Sequence, residues 1–149
     1  MDDSLDVIIV DDDPVVCDVI AMMIKLFYSW GQVYAFTKAE EAVSFCRKRK
    51  SSLAIFVLDV FLEDETGFGF LEAIVDQYPL AYQDTIIVTG NVSDDVVNMC
   101  VASNITYLIE KPIRPYTLQL AVRAIVAKYL KFAKKILQDP ALAKSINVF

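Results

Sequence analysis

Four places in the chain put chemically capable side chains directly after apolar runs. Asp11, Asp12 and Asp13 follow Val7-Ile-Ile-Val10, and Asp59 follows the all-apolar Leu53-Ala-Ile-Phe-Val-Leu58. Thr89 closes Thr85-Ile-Ile-Val-Thr89, and Lys111 comes two residues after Ile105-Thr-Tyr-Leu-Ile109. Carboxylates crowded together repel one another, and their pKa values rise unless a cation joins them. A hard divalent ion with oxygen ligands answers that problem, and Mg²⁺ is the natural candidate because it keeps waters and accepts few carboxylates. One lysine and one hydroxyl beside such an ion make a site for a tetrahedral dianion. Asp59 could then act as a nucleophile toward phosphorus, as carboxylates do in some ATPases. The ion and Lys111 would stabilise charge on the transferring oxygens.

Each residue alone has a plainer reading. An Asp after a strand is usually a turn or cap residue, and Asp13, just before Pro14, fits that role. Thr89 alone is a strand residue, and Lys111 alone is a solvated charge. The set carries chemistry only if the fold brings it to one edge.

The elements that would do so are legible in the hydrophobic pattern. Strands are expected at Val7–Val10, Val33–Phe36, Leu53–Leu58, Thr85–Thr89 and Ile105–Ile109. Between them lie helical spacings. Pro14 opens the first helix, with Val16, Val19, Ile20, Met23 and Phe27 inward. Thr37 and Glu40 form a capping box for the second, which has Ala42, Val43 and Cys46 inward and the basic Arg47-Lys-Arg-Lys50 at its C-terminus. The third helix follows Gly67, with Leu71, Ile74, Val75 and Tyr78 inward, and ends at Pro79. Ser93 caps the fourth, with Val96, Val97 and Cys100 inward. The fifth runs from near Pro115 to about Leu137, and Asp139-Pro140 would cap a short last helix.

Alternating strands and helices imply an α/β fold, a doubly wound five-stranded parallel sheet. The order that brings Asp11–Asp13, Asp59, Thr89 and Lys111 together is 2-1-3-4-5, as in flavodoxin-like folds.

The 149 residues fit one unit with a sizeable core. Residues 1–127 read as a domain and 128–149 as its helical C-terminal extension. The net charge of -6 argues against nucleic-acid binding. No uncharged run reaches membrane-spanning length, and the acidic N-terminus is unlike a signal peptide, so a cytoplasmic protein is expected. The absence of histidine excludes His-based triads and His metal sites. Cys17, Cys46 and Cys100 are odd in number, lack metal-ligand spacing and read as small core residues.

The sequence resembles the receiver domain of bacterial two-component response regulators over about residues 5 to 127. The likeness rests on Val-Asp-Asp-Asp-Pro at 10–14, Val-Leu-Asp-Val at 57–60 with Gly67 eight residues after Asp59, Ile-Val-Thr-Gly at 87–90 and Glu-Lys-Pro at 110–112. The resemblance implies that Asp59 accepts a phosphoryl group from a sensor histidine kinase or phosphotransfer protein. It implies Mg²⁺ held by Asp11, Asp12, Asp59 and the backbone carbonyl of Phe61, with Thr89 and Lys111 binding the phosphoryl group. The Lys111–Pro112 bond is often cis in this family. Phe61 and Asn91 stand where the family tunes dephosphorylation. Such a chain is an autocatalytic phosphoacceptor and not a turnover enzyme.

Three positions depart from the family pattern. An aromatic switch residue often stands three before the lysine, but here that position is Leu108, with Tyr107 one earlier and expected on the other face. Glu63 replaces a common proline and Thr66 a common acid.

A rival reading is a haloacid-dehalogenase-like phosphatase using Asp11 and Asp13. It lacks an acidic pair after the lysine and leaves Asp59 idle. A phosphorylation-independent interaction module is the third reading.

Leu118, Val122, Ile125, Tyr129, Phe132 and Ile136 form a heptad-like seam that outruns a typical last helix by about two turns of about 5.4 Å each. This overhang would either fold back with the 140–146 segment or join a homodimer through the fourth helix, fifth strand and long fifth helix. No output domain is seen after it, so the chain reads as a stand-alone receiver or a fragment.

Overall fold

The computed structural model describes residues 4–139 and residue 141. Its elements alternate as β1 (Val7–Val10), α1 (Pro14–Lys25), β2 (Val33–Phe36), α2 (Ala39–Lys48), β3 (Ile55–Leu58), α3 (Gly67–Ile74), β4 (Thr85–Thr89), α4 (Asp94–Ala102), β5 (Tyr107–Glu110) and α5 (Pro115–Gln138). The strands form one parallel sheet in the order β2-β1-β3-β4-β5. This is the expected order, with β2 and β5 at the edges.

The central strands β1, β3 and β4 are buried along their whole length. Alternation of side chains divides them between two cores. Ile8, Val10, Phe56, Leu58 and Ile87 face α2, α3 and α4, where they meet Ala42, Cys46, Phe70, Leu71, Ile74, Val96 and Cys100. Val7, Ile9, Ile55, Val57, Ile86 and Val88 face α1 and α5, against Cys17, Ile20, Ile24, Leu118, Val122, Ile125 and Tyr129. The cysteines are buried and free, as expected. Burial pushes the thiols of Cys17 and Cys46 up to about 11.

Several local expectations are corrected. Thr37 does not cap α2. The N-cap is Lys38, which offers no side-chain hydrogen bond, and the first two amides of the helix are taken by Asp64 from another loop. Val97 lies exposed, while Val96 and Cys100 turn inward. The first helix stops at Lys25 and the third at Ile74, so Phe27 and Tyr78 reach the cores from turns.

Arg49 is not a solvated helix-end cation. It turns under the sheet, where its guanidinium pairs with Asp6 at 2.9 Å and donates to the Tyr78 hydroxyl at 3.0 Å. The buried Asp84, just before β4, is a second ionic anchor. It accepts hydrogen bonds from Lys128 and the Tyr129 hydroxyl of α5. Both networks lie at the sheet edge opposite the strand-end acids.

The fifth helix reaches Gln138, close to the expected end. Its seam is buried from Leu118 to Tyr129, and Phe132 and Ile136 are only half-buried. The Asp139 carboxylate accepts from Ala141 N–H at 3.1 Å, which fits a cap. The rest of the expected last helix lies outside the described residues. Among the described residues, no helix is long and apolar enough to cross a membrane.

Candidate functional site

The C-terminal ends of β1, β3, β4 and β5 deliver their polar residues to one edge. Asp11 directly follows β1. One of its oxygens is fixed by the Asp13 N–H at 2.9 Å. Asp13 itself caps α1 by accepting from Val15 N–H at 2.9 Å, so it serves the helix, as its place before Pro14 suggested. Asp59 follows β3, and its N–H donates to the Val10 carbonyl at 3.0 Å. Its Oδ1 accepts from Phe61 N–H at 3.2 Å.

Lys111 binds the two acids together. Its Nζ donates to Asp11 Oδ2 and to Asp59 Oδ2, each at 2.7 Å. The acids are nearly fully buried, at 1% exposure for Asp11 and 7% for Asp59. The lysine reaches them from a partly exposed position. Burial pushes the Asp11 carboxyl up, and its hydrogen bonds to Lys111 and Asp13 only partly offset this. Burial alone would pull Lys111 down, but the hydrogen bonds and charges of Asp11 and Asp59 outweigh it and hold the ammonium above its ordinary range.

Asp12 lies nearer solvent. Carboxylate oxygens of Asp11, Asp12 and Asp59 all come within 4.8 Å of one another. An all-oxygen set of this kind suits a hard divalent cation and not a soft one. Asp11 and Asp59 carry one positive partner between them, so three acids face one cation. The residues therefore fit a divalent ion on charge as well as on donor type.

Thr89 ends β4 almost fully buried. Its hydroxyl accepts from Asn91 N–H at 3.3 Å, and its carbonyl accepts from Lys111 N–H at 2.9 Å. Neighbouring strand ends thus carry the hydroxyl and the lysine together. The Lys111–Pro112 bond is cis. Phe61 and Asn91 are exposed at the rim. Gly67 has a specific steric reason: a Cβ there would lie 2.4 Å from the Asp59 carbonyl oxygen. The backbone of α3's first residue passes too close to Asp59 for any side chain.

The two residues at the switch position part company as alternation requires. Leu108 packs on the core beneath α2, α3 and α4, and Tyr107 packs on the α1 and α5 side. Asp64 was missed in the sequence, because its partners Ala39 and Glu40 are more than twenty residues away. No local pattern signals such a bond.

The sequence model of one family, the response regulator receiver domain, matches residues 7–123. A two-component response regulator of Arabidopsis thaliana, ARR2, is 30% identical over 125 residues, which are 84% of this chain. The match covers 18% of that plant protein's length. A response regulator receiver domain protein of Clostridium thermocellum superposes with a TM-score of 0.74 at 16% identity, covering 86% of this chain and 98% of that one. The chemotaxis protein CheY4 of Vibrio cholerae superposes with a TM-score of 0.70 at 22% identity, covering 82% and 98%. At these identities the two structures speak for the fold alone.

Proposed function

The chain belongs to the response regulator receiver domain family of two-component signalling, and from that premise we propose that Asp59 is its phosphoacceptor, with Mg²⁺ as the cofactor. The observation that carries the reading is the Lys111 ammonium held at 2.7 Å from both Asp11 and Asp59 beside the exposed edge of Asp12. A lone structural ion pair needs one acid per lysine. Three acids around one lysine leave negative charge for a bound cation to neutralise.

In the proposed reaction a carboxylate oxygen of Asp59 attacks the phosphorus of a phosphohistidine on a partner. The P–O bond forms as the P–N bond breaks, and the bonding electrons stay with the departing imidazole. Mg²⁺, held by Asp11, Asp12, Asp59 and the Phe61 carbonyl, would neutralise charge on the phosphoryl oxygens when bound. Lys111 is within reach of Asp59 and would pair with the product phosphoryl group. Thr89 would turn its hydroxyl from accepting to donating, toward the same oxygens. Hydrolysis of the acyl phosphate would return Asp59 to its starting state, so the domain acts as a self-limiting switch and not as a turnover enzyme.

A sensor histidine kinase or phosphotransfer protein is the partner class that this chemistry needs. A strip of exposed apolar residues, Val15 and Met22 on α1 and Leu26 just past its end, starts beside the site and offers such a donor a face. Exposed Val97 and Val101 on α4 and Leu120 on α5 support a homodimer built on those elements. Light scattering with and without a phosphodonor tests the dimer, and a monomeric mass in both states would remove it.

The phosphoacceptor is tested by incubating the protein with acetyl phosphate and Mg²⁺ and measuring intact mass. One added phosphoryl group is expected, lost in Asp59→Asn and sharply reduced when the metal is chelated. Full phosphorylation of Asp59→Asn would overturn the assignment. Release of phosphate from many substrates with Asp11 essential would favour the phosphatase instead.

A further inference from the structure

Asp64 stands at the tip of the loop between β3 and α3, away from the acids of the site. Helix α2 begins at Ala39 with Lys38 as its N-cap and no capping side chain of its own. The first amides of a helix have no intrahelical acceptors. Asp64 supplies them from across the fold: Oδ1 accepts from Ala39 N–H at 3.2 Å, and Oδ2 from Glu40 N–H at 3.1 Å. A carboxylate also suits the positive end of the helix dipole. The Glu40 amide, followed by that of Ala39, holds the Asp64 carboxyl below its usual range.

From that tip the loop returns to the site through a closed set of backbone bonds. Leu62 N–H donates to Glu65 O at 3.2 Å, Phe61 pairs antiparallel with Thr66, and Gly67 N–H donates to Val60 O at 2.9 Å. Phe61 N–H then donates to Asp59 Oδ1 at 3.2 Å. A hydrogen-bonded path therefore joins the start of α2 to the Asp59 carboxylate and the Phe61 peptide. Asp64 is the long-range restraint on this loop, reaching residues 25 and 24 positions away in the chain.

We propose that Asp64 is a positioning residue for the phosphoryl-transfer site: by clamping the loop tip to α2 it holds the Phe61 peptide and Asp59 in the arrangement that Mg²⁺ binding requires. It touches neither the ion nor the phosphoryl group and acts through the loop. The proposal rests on the phosphoacceptor reading above.

Asp64 serves two ends at once, so the test must separate the clamp from simple capping of α2. Lys38→Ser places a hydroxyl at the N-cap itself, with Glu41 three residues on to complete a capping box. It restores the cap without restoring the tie to the loop. In Asp64→Ala we expect about ten-fold weaker Mg²⁺ binding by calorimetric titration, the lower end of what loss of an outer partner does to a metal site. Amide hydrogen exchange over residues 60–66 should accelerate in the same variant. Asp64→Asn, whose amide oxygen still accepts a backbone bond, should recover part of both. In Asp64→Ala combined with Lys38→Ser, thermal stability should recover while Mg²⁺ binding stays weak. Wild-type Mg²⁺ affinity in Asp64→Ala, or recovery of affinity together with stability in the double variant, would overturn the positioning role. If the unaltered chain binds no Mg²⁺ and takes no phosphoryl group from acetyl phosphate, the phosphoacceptor reading falls and this role falls with it. Normal uptake by the unaltered chain and by Asp64→Ala alike removes only the Asp64 role.

Discussion

Replacing Lys111 with methionine keeps most of the aliphatic stem and removes the charge between Asp11 and Asp59. What remains is a pair of buried carboxylates whose oxygens lie within 4.8 Å. At the outer limit of that separation and an effective dielectric of about 20, two unit charges repel by about 3.5 kcal/mol. The site opens to solvent at its mouth, where the Lys111 side chain is 22% exposed, so we expect a loss of about 2–3 kcal/mol in unfolding free energy at about pH 7.5 with metal chelated. The sign of the pH dependence follows from linkage. Lys111 is held above its ordinary range, so its contribution is fully present at neutral pH and is lost only as pH rises through its folded value. Asp11 is held above the ordinary carboxylate range, so its burial opposes folding at neutral pH and that opposition relaxes on acidification. Without Lys111, Asp11 takes up a proton more readily still. The gap between variant and wild type should therefore shrink to under about 1 kcal/mol near pH 5. It should also shrink at neutral pH in about 10 mM Mg²⁺, which binds only the folded acids. Urea denaturation at both pH values, with chelator or Mg²⁺, reads all four conditions. An equal loss at both pH values that Mg²⁺ leaves unchanged would refute this reasoning and leave only the packing of the lysine stem.

Gly67→Ala should destabilise by about 1–3 kcal/mol or more, because the added Cβ would meet the Asp59 carbonyl at 2.4 Å. It should also slow phosphorylation from acetyl phosphate, whereas Gly90→Ala, with nothing closer than 3.9 Å, should do neither. Tyr129→Phe removes a hydroxyl donor from the buried Asp84 and should cost about 1–3 kcal/mol by denaturant titration. Burial raises the Asp84 carboxyl despite Lys128 and Tyr129, so its ionisation opposes folding as pH climbs through its folded value. Asp84→Asn should therefore gain on the wild type as pH is raised from about 4 to about 7. Cys17, Cys46 and Cys100 are buried, with the first two thiols pushed up to about 11. An alkylating reagent should leave all three unmodified in the native protein and label them only after denaturation.

Much of this molecule could be read from residue order alone. Buried parallel strands are continuous apolar runs, and each ends where the chain turns polar, so the five strands and the acids, hydroxyl and lysine at their ends were visible without coordinates. Their convergence followed from one rule, that parallel strands point their C-terminal ends to a common edge. Asp13 before Pro14 announced its cap because both partners are neighbours in sequence. Alternation likewise put Tyr107 and Leu108 on opposite faces before any contact was known. Tertiary structure decided what depends on residues far apart in the chain. The cap of α2 came from Asp64 and not from Thr37, because a carboxylate arriving across the fold could satisfy both free amides. Arg49 left the basic run at the end of α2 because Asp6 and Tyr78 offered it a partly buried site. Asp84 found Lys128 and Tyr129 only because α5 packs into the same core as β4. Local pattern is set by steric and hydrophobic periodicity over a few residues. Long-range polar pairing depends on which surfaces the packed layers bring within hydrogen-bond distance, and that distance is fixed by the whole fold.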